Sequence, residues 1–247
     1  MAYCMSEMNT DHTLCILCAM QGEANAIIKV LKLSPVDAPW PSSLPPRKWS
    51  GIVMGHPIDL VTNGHDSRTG ADLIGTTPAT LATSLIIEKL APSEILIAGA
   101  AGGCSKSTKI GQVMLIDRAF HHDRRIPLPE FADYAHGPER LHATPHLAEA
   151  FGATIATIST GNALDTLDHE LEFFNENQIT VKDMETASIA WTANLSDVPV
   201  MALRSITDHF DHPTPESQFL ANFELALRHL ADSVVQGLPF LLNRCDC

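Results

Sequence analysis

Three acidic residues stand at the junctions between predicted elements. Glu23 follows an apolar run in Ala19-Met20-Gln21-Gly22-Glu23, Glu185 lies in Lys182-Asp183-Met184-Glu185-Thr186-Ala187, and Asp208 ends Arg204-Ser205-Ile206-Thr207-Asp208. Carboxyl groups gathered in one place can divide proton donation and proton removal between them. Each acid alone also fits a structural role, because acids favour helix N-termini. A fourth stretch, Ser-Glu-Ile-Leu-Ile-Ala-Gly-Ala-Ala-Gly-Gly over residues 93–103, reads as a buried strand that ends in a small-residue turn. Small residues let a ligand approach the main chain, and their N–H groups can face a cleft. Acids behind three strands and a glycine-rich turn behind a fourth favour one shared site, at the carboxyl ends of the strands.

His121, His122 and Asp123 form a second polar cluster. Adjacent residues on a strand point to opposite faces, which argues against a joint metal site. Arg124 and Arg125 are expected to make loop ion pairs with Asp123. Cys15 and Cys18 have C-x-x-C spacing inside an apolar strand pattern, without a second ligand pair nearby. They read as reduced core residues, which points to the cytoplasm.

The elements that must position these groups follow from periodicity. Strands are predicted at residues 13–19, 51–55, 58–61, 95–97, 112–117, 154–159, 180–182 and 198–206. Helices are predicted at 21–33, 68–90, 145–151, 168–177, 185–195 and 215–238. Pro78 should kink the second helix or mark a fresh start. Residues 34–46, with five prolines, and 124–136, with Pro127 and Pro129, read as loops. Residues 1–12 read as a disordered tail and 13–243 as one domain. The alternation predicts an α/β, three-layer fold with a mixed, mostly parallel sheet covered by helices on both faces.

Composition excludes several classes. With 45% hydrophobic residues the chain can build a sizeable core, and a formal charge of −13 leaves no footprint for nucleic acid. No apolar stretch reaches the length of a membrane span. The first residues carry Glu7 and Asp11 and no basic segment, so they do not read as a secretory signal.

Taken together, the motifs resemble those of the purine nucleoside phosphorylase superfamily: Ile-Ala-Gly-Ala-Ala-Gly-Gly, Asp183-Met184-Glu185 and Thr207-Asp208. Ala-Met-Gln-Gly-Glu23 is similar to the start of its hydrolytic branch, the 5′-methylthioadenosine/S-adenosylhomocysteine nucleosidases. Gly75-Thr-Thr-Pro-Ala79, His122-Asp123-Arg124-Arg125-Ile126-Pro127 and Thr160-Gly-Asn-Ala-Leu-Asp165 resemble the plant-type members. The resemblance implies N-glycosidic hydrolysis in methionine salvage, without cofactor or metal. Asp208 would protonate adenine, Glu23 would activate water and Glu185 would hold the ribose hydroxyls. It further implies substrate contacts at Met20, Ala101, Gly102, Leu164, Asp165, Asp183, Met184, Arg204 and Thr207. Phe131 would sit in a loop that reaches the neighbouring subunit of a homodimer. Two departures stand out: Ala100 where nucleosidases usually have Ser or Thr, and Asn162 where many have Asp. The rivals are a phosphorylase of the same fold and a nucleoside-binding protein without activity. The first would need cations and hydroxyls for phosphate, where this chain has Ile97 and Ala100.

Overall fold

The computed structural model describes residues 13–243. The predicted tail at 1–12, together with Cys4, Cys245 and Cys247, lies outside the described residues. In chain order the elements are β1 (Leu14–Cys18), α1 (Gln21–Leu31), β2 (Ser34–Val36), β3 (Arg47–Val53), β4 (His56–Thr62), α2 (Thr76–Leu90), β5 (Glu94–Gly103) and β6 (Val113–His121). They continue as α3 (Ala132–His136), β7 (Glu139–Arg140), α4 (Pro145–Phe151), β8 (Thr154–Thr160), α5 (Asp168–Glu176), β9 (Val181–Asp183), α6 (Thr186–Asn194), β10 (Val200–His209) and α7 (Pro215–Leu242).

The central strands are apolar on both faces because helices cover both. Leu14, Ile16, Leu96, Ala98, Met201 and Leu203 pack with Ile27 of α1, Phe151 of α4 and Leu230 of α7. Their neighbours in sequence, Cys15, Leu17, Ile95, Ile97, Val200 and Ala202, pack on the other side with Ala82 and Ile86 of α2 and Ala190 of α6. That is the period-2 alternation of a strand with no solvent face. β4, β1, β5 and β10 are joined by parallel pairings, and β3 and β2 extend that edge antiparallel. β10 also pairs with β6, which runs on through β8 and β9 back to β5. One half of the sheet is therefore a closed circuit, a feature that local pattern does not reveal.

Several boundaries differ from expectation. Glu94–Gly103 form one continuous strand: the glycines stay extended and are no turn, held between β10 and β9. The stretch 68–75 is loop rather than helix, and α2 begins after Gly75, whose φ of 100° no other residue adopts readily. Pro78 falls in the first turn, where its missing N–H costs nothing. The proline-rich segment 34–46 contains the edge strand β2, and the loop at 124–136 contains a 3-10 turn (Pro129–Phe131) and α3.

Gly237 of α7 lies against the ring of Phe151, which is 1% exposed; an added Cβ would fall well inside contact distance. Gly237→Ala gains about 1 kcal/mol of helix propensity but overpacks a closed contact at a cost of about 1–3 kcal/mol. The balance is unfavourable, and thermal melting should show a fall in Tm of about 3–6 °C. An unchanged Tm would mean that the ring has room to shift.

Candidate active site

A cleft of about 770 Å³ opens where the carboxyl ends of β1, β5, β9 and β10 meet. Met20, Glu23, Ala101, Gly102, Leu164, Asp183, Met184, Glu185, Thr207 and Asp208 all line it, as does Ala100.

Glu23 sits in the first turn of α1 and is 2% exposed. Its Oε2 accepts the Met20 N–H at 2.9 Å, which is the capping role expected of a first-turn acid. Its Oε1 reaches across to the Ala100 N–H on β5 at 2.7 Å. Burial pushes its pKa above the usual carboxylate value, and the charge of Arg204 and the N–H groups of Met20, Ala100 and Ala19 oppose that shift. Gly99 makes the approach possible: a Cβ there would stand 2.6 Å from Glu23 Oε1 and overlap the Arg204 guanidinium.

Arg204 does not line the cleft. It is 1% exposed, and its guanidinium lies beneath the floor. Nη2 pairs with Asp183 Oδ2 and stands 3.8 Å from Glu185 Oε2, while Nε donates to the Thr186 hydroxyl at 3.1 Å. Asp183 also accepts from Thr160 Oγ1 and from the Thr186 N–H and hydroxyl, so its carboxylate is committed to holding the site together.

Glu185 caps a different element: its Oε1 accepts the Gly75 N–H at 2.8 Å, the residue before α2. Asn162 secures that N-terminus. Its Oδ1 accepts from the Thr76 N–H at 2.9 Å and hydroxyl at 3.0 Å, and its Nδ2 donates to Asp123 at 2.9 Å. An amide can donate on one side and accept on the other; a carboxylate here would face Asp123 as a like charge. Asp123 therefore pairs with Asn162 rather than with the neighbouring arginines, and Arg124 lies over the Tyr134 ring. Burial raises the pKa of Glu185 to about 7, helped by the charge of Asp183 and opposed by Arg204.

Asp208 lies within β10, not after it, and owes its aim to a bulge. The β5–β10 register slips between Ile206 and Asp208, so Thr207 is the inserted residue. Consecutive strand residues normally face opposite ways, yet Thr207 and Asp208 both reach the cleft. The Thr207 hydroxyl donates to Asp208 Oδ1 at 2.7 Å. Burial raises the Asp208 pKa, against that bond and the charges of His209 and Lys182. Gly102 leaves the space, since a Cβ there would lie 2.9 Å from Asp208 Oδ2.

The remaining predicted residues fall outside the cleft wall. Asp165 turns its carbonyl toward Lys182, and Phe131 stands 41% exposed on the 3-10 turn after β6. Sequence reasoning missed Lys182, Ile74 and Phe219, all of which line the cleft. A lysine between buried Val181 and Asp183 was a usable signal, because lysine is rarely buried without partners. Ile74 and Phe219 carried none. His121 is buried away from the cleft, its pKa pushed down to about 4 by desolvation and by Arg124. His122 meets Ser159 Oγ at 2.9 Å and the edge of Phe174. Among the described residues no group of three or more His, Cys, Asp or Glu could hold a metal, and no helix is long and apolar enough to cross a membrane.

Fold and cleft together are those of the phosphorylase superfamily, whose profile matches residues 13–236. A 5′-methylthioadenosine/S-adenosylhomocysteine nucleosidase of Arabidopsis thaliana is 33% identical over 94% of this chain and 93% of its own length. A 5′-methylthioadenosine nucleosidase of the same plant is 34% identical over 92% of this chain and 86% of its own. The solved apo structure of the Arabidopsis thaliana 5′-methylthioadenosine nucleosidase superposes with a TM-score of 0.91 at 33% identity, covering 95% of this chain and 97% of that one. A futalosine hydrolase of Helicobacter pylori, at 20% identity and a TM-score of 0.78 over 93% of this chain and 98% of its own, shares the fold. The chain belongs to that superfamily, in its 5′-methylthioadenosine/S-adenosylhomocysteine nucleosidase family.

The raised pKa of Glu185 has a stability consequence with a definite sign. An unfolded Glu titrates near 4.3, and the folded one near 7. Between those values the native state keeps a proton that the unfolded chain has released, so stability falls as pH rises through the window. Glu185→Gln removes that loss, on the order of 1–3 kcal/mol. Its Tm should exceed the parent's at pH 8.5, and the gap should close at pH 5. A gap that is reversed or independent of pH would disprove the assignment.

Proposed function

We propose that the chain hydrolyses the N-glycosidic bond of adenosines carrying a 5′-thioether, 5′-methylthioadenosine first and S-adenosylhomocysteine as well. The products are adenine and the 5′-thioribose. The observation that carries this reading is the pairing of Glu23 with the Ala100 N–H. A phosphorylase needs main-chain N–H groups, hydroxyls and cations free to seat phosphate. Here an internal carboxylate holds the N–H, Ala100 has no hydroxyl, and Arg204 is engaged beneath the floor. Water is the nucleophile that such an arrangement suits. The kinship to the plant nucleosidases supports the same substrate class.

As the bond to N9 breaks, positive charge develops on the ribose and negative charge on the purine. Glu23, fixed by N–H bonds and made more basic by burial, takes the proton of the attacking water. Asp208, whose burial favours the protonated form, delivers a proton to N7 of the leaving adenine. Glu185 accepts from the ribose hydroxyls, Met184 packs on the sugar, and Leu164 and the Asp165 main chain meet the base. Met20, Ile74 and Phe219 offer apolar surface for the 5′-thioether. The working unit is a homodimer in this reading: Leu128 and Phe131, 48% and 41% exposed in one chain, are covered by a second copy.

Adenine release from 5′-methylthioadenosine should be independent of added inorganic phosphate; dependence on it would identify a phosphorylase instead. Glu23→Gln keeps the shape and loses the base. It should slow turnover by at least about 100-fold with nucleoside affinity within a few-fold of the parent, and turnover within tenfold would remove Glu23 from the mechanism.

Asp208→Asn should slow release of adenine by about 10²–10⁴-fold. A nitrophenyl riboside, whose leaving group departs as a stable anion, should suffer far less. Equal losses for both substrates, with circular dichroism unchanged, would sink the proton-donor role.

A further inference from the structure

Lys182 is 4% exposed and lies in β9, with Gly102 of β5 and Ser159 of β8 opposite it. Asp208 also pairs with Gly102, so the lysine and the acid flank one glycine. Burial disfavours its ammonium; the carboxylates of Glu170 on α5, Asp165, Asp208 and Asp123 favour it, and His122 is the other titratable group it faces. The ammonium spends its three protons on three consecutive residues: the Leu164 carbonyl at 3.3 Å, the Asp165 carbonyl, and Thr166 Oγ1 at 3.0 Å. Those residues belong to a segment that is otherwise loosely held. Leu164 and Leu167 are 49% and 50% exposed, and no main-chain bond ties residues 163–166 to the sheet among the described residues.

We propose that Lys182 is a positioning residue for the purine, drawing residues 164–166 down onto β9 so that Leu164 and the Asp165 main chain face the base beside Asp208. The inference rests on the reading of that end of the cleft as an adenine site. A contact made equally before and during bond cleavage governs KM, whereas one made in the transition state governs kcat. Anchoring of the base belongs to the first kind.

The test compares Lys182→Met, Lys182→Arg, Thr166→Val and the double variant Lys182→Met/Thr166→Val. KM and kcat for 5′-methylthioadenosine, adenine affinity by calorimetry, and hydrogen exchange of amides 163–168 are the readouts. Lys182→Met should raise KM and the adenine Kd by about 10–100-fold, the range for lost charge-assisted hydrogen bonds. Its kcat should fall by less than its KM rises, its amides 163–168 should exchange faster, and Lys182→Arg, which keeps the charge near Asp208, should recover part of the loss. Thr166→Val should raise KM a few-fold, yet add nothing in the Lys182→Met background, because both act through one contact. Unchanged KM and exchange in Lys182→Met would overturn the proposal. So would independent effects in the double variant, or an unaltered Thr166→Val should Lys182→Met fail to fold. If the parent protein binds no adenine, the adenine reading fails, while the exchange data still decide whether Lys182 holds the segment.

Discussion

One guanidinium faces three buried carboxylates, and the site depends on that imbalance. Arg204 pairs with Asp183, stands within reach of Glu185, and lowers the cost of ionising Glu23. A single positive charge cannot fully compensate three negative ones in a low-dielectric interior. Burial raises the pKa of Glu23 and of Glu185, and Arg204 offsets only part of that rise at each. Asp183 takes most of the guanidinium and accepts three further hydrogen bonds from Thr160 and Thr186. The guanidinium is thus engaged chiefly by Asp183, and burial leaves Glu23 and Glu185 more basic.

The fold supplies the rest by bringing chain ends together. β1, β5, β9 and β10 deliver their carboxyl ends to one edge, so residues far apart in sequence meet there. The acids also tie elements to each other: Glu23 joins α1 to β5, and Glu185 joins β9 to α2. These groups cap helix starts and face the cleft at once. Structural and chemical roles are therefore not alternatives at these positions, and a substitution at either acid perturbs both.

Much of this was legible in the sequence. The strand–helix alternation, Glu23, Glu185 and Asp208 were readable because junctions leave local marks: apolar runs, then small residues, then an acid. Boundaries governed by distant partners were not. The glycines after Ile97 look like a turn, and they stay extended because β9 and β10 pair with them. Thr207 and Asp208 share a face through a bulge set by register against β5, which no local pattern encodes. Asp123 sits beside two arginines, yet its partner is Asn162, thirty-nine residues away in the chain. Lys182 went unremarked in the sequence, and its three acceptors come from a segment whose path depends on the whole fold.

Gly99 and Gly102 lie against the two acids at opposite ends of the chemistry, where a methyl group would meet Glu23 and Arg204 in one case and Asp208 in the other. This orders the paths along which such a site can diverge. A side chain cannot enter β5 at position 99 while Glu23 and Arg204 keep their places, because both are buried and fixed by several bonds. A shorter residue must first replace the acid, which surrenders the present chemistry before any new one is gained. The reverse order meets a clash at its first step. The strand is thus locked by the side chains it accommodates, and lineages that keep the acids inherit the glycines with them.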